Sequence, residues 1–429
     1  MKSLALLLIA VAAAMAEVRT VTLKQALDLA LQQNPDLVLA RFDEIKQNQA
    51  VRLAKDSFAL KASVGSGLGW NNGFPMSIDG AAPSLLQGRA SAAVYNRPQK
   101  FRVAQELENA RGLRHDVQGR REDVTHRVAL QYLETARMAR LGGMATRQIA
   151  SLEQIQQTVA ARVAEGRVIP VDELRARVEV EKARQRSLQF VTEQEIAENS
   201  LAILLGMGAE DRARPSAEST GPAGFFGEVP ETEERAVALA LDHSPELKRL
   251  QSAIMAKGLE MQSHKASRLP KMDLFAQYGL FAKFNHYEDY FQTFKRHNAQ
   301  VGVSLQLPVF AGPAANAMAG QAEAEQSRLR VEVNNARNRM THEARRAYQQ
   351  LALARKGQDL AKLTLELARE EVNIALAKFG EGKLAAKELE EARVTESERW
   401  IAFYDAQHRI ERAQVDLLYQ AGTLMAAVR

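Results

Sequence analysis

The sequence predicts a mainly α-helical chain with a small β part, assembled from two internal structural repeats. Three observations predict it. Alanine, glutamine, arginine and glutamate are abundant while aromatics reach only 6%, a composition that favours long helices over a mixed α/β enzyme. Residues 25–37, QALDLALQQNPDL, align with 235–247, RAVALALDHSPEL, at an offset of 210, the signature of a duplicated architecture. In each half, one segment departs from the helical period and takes on β character.

The first sixteen residues are expected to be a signal peptide. Lys2 supplies the positive start, Leu4–Ala14 an apolar run, and Ala14-Met15-Ala16 a small-x-small cleavage site. No later segment offers the ~18–20 apolar residues of a transmembrane helix. An exported chain of this kind is soluble, peripheral or a β-barrel. The absence of cysteine excludes disulfides, thiolate metal sites and a lipid anchor on an N-terminal cysteine. The formal charge of +5 is spread along helix faces where both signs alternate, which argues for solvation and against nucleic-acid binding.

The first repeat is assigned to 17–216 and the second to 217–429. Each begins with a helical stretch, 22–57 and 233–267, in which Pro35 or Pro245 ends a short first helix or places a turn. A β segment follows, 59–97 and 269–311. Next come a long helix, 98–164 or 313–378, a Glu-Gly break, and a third helix running to about 205 or 425. A Gly/Pro cluster in 206–230 joins the halves. At 1.5 Å per residue a 67-residue helix is roughly 100 Å long, and the two shorter helices of each half, end to end, match it. That geometry implies a cylinder wall. Residues 313–378 hold fifteen alanines, with Leu329, Val333, Leu351 and Leu360 thinly spaced, so helices can pack flank to flank while other faces stay wet. A plain coiled coil fits the helices equally well but leaves the β segments unexplained.

In 298–310, NAQVGVSLQLPVF, Val301, Val303, Leu305 and Leu307 face one way, and Gly302, Ser304 and Gln306 the other. The length suits a membrane strand of ~9–11 residues with one lipid face and one aqueous face. Its predicted partner is 271–282. The loop between them carries Phe284, Tyr287, Tyr290, Phe291 and Phe294, which with Phe281 form either an interfacial girdle or a soluble aromatic cluster. The first half supplies weaker strands at 60–70 and 87–96. Four strands cannot close a membrane barrel, and open edges are not tolerated in lipid. The chain is therefore expected to oligomerise, and a trimer supplies twelve strands.

The repeated LALQQNPDL/LALDHSPEL, the strand end SLQLPVFAG and two Gly-x5-Asp/Glu-x3-Ala-Arg breaks together resemble the TolC-like outer-membrane efflux protein family. The resemblance covers essentially all of the mature chain. It implies a homotrimer with a twelve-stranded outer-membrane barrel and a long helical coiled-coil barrel crossing the periplasm. It also implies two partners, a periplasmic adaptor protein and an inner-membrane transporter, and contact with outer-membrane lipid through strand residues such as Val301, Val303, Leu305 and Leu307. The chain is then the passive exit duct of a tripartite efflux or type I secretion system.

By the same resemblance the Glu-Gly breaks are turns at the periplasmic tip. Gly166, Arg167 and Val168 in the first half, and Gly382, Lys383 and Leu384 in the second, match the tip and the adaptor contact. Asp172, Glu388 and Glu391 match carboxylates lining the aperture, where threefold symmetry would gather like charge around one axis. Arg175 stands in the first half where Glu391 stands in the second. Read without the resemblance, the same residues are ordinary carboxylates at helix starts and ordinary glycine caps. A periplasmic coiled-coil adaptor or scaffold without a barrel is the alternative reading.

No enzyme constellation is found. Eight histidines are scattered without an i, i+4 pair or HExxH, so no metal or cofactor is expected. His115 and His126 are expected at the surface. GSGLGW at 65–70 lacks the dinucleotide-binding spacing, and no nucleophile elbow is present.

Overall fold

A computed structural model of the chain describes residues 18–67, 84–216, 229–282, 292, 295–309 and 313–427. The expected signal peptide, the linker core at 217–228 and the aromatics Phe284, Tyr287, Tyr290, Phe291 and Phe294 lie outside the described residues. The elements in chain order are β1 (Val18–Val21), α1 (Leu23–Gln33), α2 (Pro35–Asp56), β2 (Lys61–Gly67), β3 (Ser84–Tyr95), α3 (Arg97–Ala164), α4 (Pro170–Leu204) and β4 (Arg212–Pro215). The second half continues with α5 (Glu233–His243), α6 (Pro245–Ala266), β5 (Lys271–Phe281), β6 (His297–Gln306), α7 (Ala314–Gly380), α8 (Ala386–Gln420) and α9 (Leu424–Ala427). No described helix is long and apolar enough to cross a membrane.

Both prolines act as the sequence predicts. Pro35 and Pro245 each open a helix one residue after a short helix ends, where a missing N–H costs nothing. Upstream, Thr22 and Gln25 form a reciprocal capping box that starts α1.

The chain divides into two compact units. One comprises residues 1–40, 117–244 and 337–429. Its largest core gathers Leu27, Leu37, Val128, Leu133, Leu201 and Leu418 around Tyr132, whose hydroxyl donates to the Val21 carbonyl at 3.2 Å. That carbonyl belongs to an unpredicted feature, the parallel pair of β1 and β4. The Gly/Pro-rich joint between the halves therefore contains a strand, and Arg214 in it closes over the fully buried Glu198 at 2.7 Å. His126 also departs from its expected surface position. It stacks on Tyr419 at 4.2 Å and its Nε2 lies 2.7 Å from Asp416.

The other unit comprises residues 41–116 and 245–336. Its helices are tied by polar contacts, including Gln47 to Glu106 at 2.7 Å and Lys257 to Glu325 at 2.5 Å. Its antiparallel sheet has the order β2-β3-β5-β6. The register aligns the apolar residues across all four strands. Val64, Ala90, Ala92, Met272, Leu274, Ala276, Val301, Val303 and Leu305 share one face. The other face carries Ser63, Arg89, Ser91, Asp273, Gln277, Gln300, Ser304 and Gln306. Phe275 interrupts this polar face and lies over Gly302, where a Cβ would come within 2.9 Å of the ring. Val301 and Leu305 are 76% and 65% exposed. Leu307, expected on the same strand face, is exposed but lies one residue beyond β6. Among the described residues β2 and β6 each pair on one side only.

Candidate functional site

Two helix–helix turns are built alike from the backbone upward. In the first, Gly166 N–H donates to the Val163 carbonyl and Arg167 N–H to the Arg162 carbonyl, both at 2.9 Å. In the second, Gly382 N–H reaches Phe379 at 3.1 Å and Lys383 N–H reaches Lys378 at 2.9 Å. These paired bonds satisfy the orphan carbonyls at the ends of α3 and α7 and require a left-handed residue. The glycines supply it, with φ of 69° at Gly166 and 73° at Gly382. Pro170 then opens α4, while α8 starts at Ala386 with Glu388 in its first turn.

The fold brings the two turns together. Arg162 and Phe379 link them: the guanidinium sits 3.9 Å from the ring centroid and Nη2 donates to the Phe379 carbonyl at 3.2 Å. Beneath lies a small core of Leu152, Ile155, Val159, Val180, Phe379 and Leu389, against which Val168 and Leu384 pack. Arg167, Val168, Gly382, Lys383 and Leu384 line one shared cleft at the tip. Arg167 and Lys383 are both exposed there, paired only with their near neighbours Glu165 and Glu381 at 3.1 and 2.6 Å. Gly166 is exposed at the same turn.

The expected carboxylates occupy three different settings. Asp172 borders the tip cleft and accepts a bond from Arg175 at 3.0 Å. Glu391 is exposed, 3.5 Å from Lys387, and borders an adjoining groove between α4 and α8. Glu388 is exposed and lines neither.

A fourth carboxylate, absent from the sequence expectations, is the most perturbed. Glu390 is only 6% exposed and its Oε1 has no hydrogen-bond partner. Burial pushes its carboxyl up to about 7, with the charges of Glu179, Asp172 and Glu391 adding and Arg175 opposing. No signal in the sequence separates it from its neighbours Glu388 and Glu391, which have the same chemistry. Among the described residues no group of three potential ligands could hold a metal.

Residues 236–423 match the sequence model of a family described as outer membrane efflux protein. No curated protein sequence matches the chain. Among solved structures, CusC gives a TM-score of 0.77 at 15% identity, covering 95% of this chain and 93% of that one. The Campylobacter jejuni CmeC outer membrane channel gives 0.75 at 15% identity, covering 94% and 86%. The open-state MtrE outer membrane channel of Neisseria gonorrhoeae gives 0.72 at 17% identity, covering 94% and 89%. The second half of the chain thus carries the sequence signature of outer membrane efflux proteins, and the chain as a whole has the fold of the TolC-like channels.

Proposed function

We propose that this protein is the outer-membrane channel of a tripartite efflux or type I secretion system, acting as a homotrimeric, passive exit duct. The observation that carries the reading is the sheet. One face is apolar across all four strands, the other is polar, and both edges lack a partner among the described residues. An isolated sheet of this kind has no stable place in lipid or water, because its edges leave backbone groups unpaired and its apolar face uncovered. Edge-to-edge pairing of three copies removes both defects, with lipid against Val301, Val303 and Leu305 and water against the polar face. A periplasmic scaffold has no use for such a sheet.

Exposed apolar residues on α7 support assembly of the helical part. Leu353, Leu360, Leu367 and Ile374 recur every seven residues and are all exposed in the single chain, a seam that asks for a helical partner. The cleft at the paired turns, with its exposed Arg167 and Lys383, is the proposed contact for a periplasmic adaptor, which in turn engages an inner-membrane transporter. The duct consumes no energy of its own in this account. Expression with outer-membrane fractionation and unheated gel electrophoresis tests the proposal. The expected result is outer-membrane material that migrates as a trimer until boiled. Recovery as a soluble periplasmic monomer would contradict it.

A further inference from the structure

Glu390 has no role in the proposed duct. It sits on α8 at the floor of a groove walled by α4, beside Leu389 of the small core beneath the turns. Three of the acids around it have a cation. Asp172 pairs with Arg175 and Glu179 with Lys182 on α4, while Glu391 pairs with Lys387 on α8. The remaining charged group lining the groove is Glu398, exposed on α8. Within its own helix, Arg393 donates from Nη1 to Glu396 at 2.9 Å, while its buried Nε has no partner. Glu390 is thus a buried carboxyl facing three acids and one cation, Arg175, that is already paired with Asp172, with one oxygen lacking any hydrogen-bond partner.

We infer that Glu390 is a protonation-controlled lock on the α4–α8 seam: neutral, it lets the helices close beside the turns, and ionised, it drives them apart. A neutral carboxyl costs less in this position than a carboxylate, which has lost its water and meets as counter-charge only Arg175, already paired with Asp172. The sign follows from the upward displacement toward 7. The closed seam binds the proton more tightly than a solvated glutamate does, so closure is strongest below the ordinary carboxylate range. It weakens as pH rises and is fully lost above about 7. The lock acts within one chain and stands whether or not the transport reading holds.

The chain has no cysteine of its own, so spin labels can be placed through Arg177→Cys on α4 and Arg399→Cys on α8, both exposed positions outside the groove. Distances are read by double electron–electron resonance on the purified full chain at pH 5 and pH 8.5, with helicity checked by circular dichroism. The expected result is a short, narrow distribution at pH 5 that becomes longer and broader at pH 8.5. Glu390→Gln should hold the short distance at both values. Glu179→Gln, which removes one like charge and so eases ionisation of Glu390 within the closed seam, should keep the short distance to higher pH. A wild-type distance independent of pH overturns the inference, as does an unchanged pH response in Glu390→Gln.

Discussion

Two pairs of glycines end helices with the same left-handed geometry, in surroundings that differ sharply. Gly166 and Gly382 close α3 and α7 at the tip, and a Cβ on either would meet nothing within 4 Å. Gly206 and Gly422 follow α4 and α8, and the same paired bonds satisfy the helix ends. Here a Cβ would lie 2.6 Å from the Gln33 carbonyl oxygen or 2.8 Å from His243 Cβ. The inner pair thus fastens α4 to the α1–α2 junction and α8 to the end of α5, whereas the outer pair turns in open space. One local motif serves as a structural joint in one place and leaves a free surface in the other. A surface kept open where packing is feasible is where a partner can dock.

Substitutions can break that contrast. The largest effect is expected at Gly206→Ala, where left-handed strain combines with a backbone clash to cost about 3 kcal/mol. A clear fall in the thermal midpoint would register it. Arg162→Ala removes both the ring contact and the bond to the Phe379 carbonyl. That should loosen the tip by about 1–2 kcal/mol, seen as faster amide exchange in 379–385 with little change in global melting. Gly166→Ala should cost only about 1 kcal/mol, because strain is the sole penalty. Equal losses at Gly166 and Gly206 would show that the two pairs do not differ.

Much of this was legible in the sequence because it is written in local rules. Pro35, Pro245, Gly166 and Gly382 each dictate a backbone conformation, so helix ends could be placed near their observed positions. Strand alternation in 298–306 required only counting by twos. The β1–β4 pair was not legible, since Val18–Val21 and Arg212–Pro215 meet only through the tertiary fold and neither is long enough to show a period. Glu390 was missed for a related reason. Its neighbours Glu388 and Glu391 have the same chemistry, and only the packing of α4 on α8 makes one buried and the others wet. His126 was misplaced because its ring partner Tyr419 lies almost three hundred residues away in the chain.

The smallest structural effect, and a purely functional one, is expected from neutralising the exposed acids. In the proposed assembly Glu388→Gln with Glu391→Gln should leave melting unchanged and lower the preference for cations over anions, because rings of carboxylate select cations. Unchanged selectivity would remove these two residues from the aperture.

The central claim is that copies of this chain close a water-filled pore in a membrane. Reconstituting the purified protein in a planar lipid bilayer and recording current under voltage tests it most directly. The account predicts discrete single-channel steps with cation preference, abolished by Val303→Pro, which blocks pairing along β6. A bilayer that stays sealed while the protein is demonstrably inserted would contradict it.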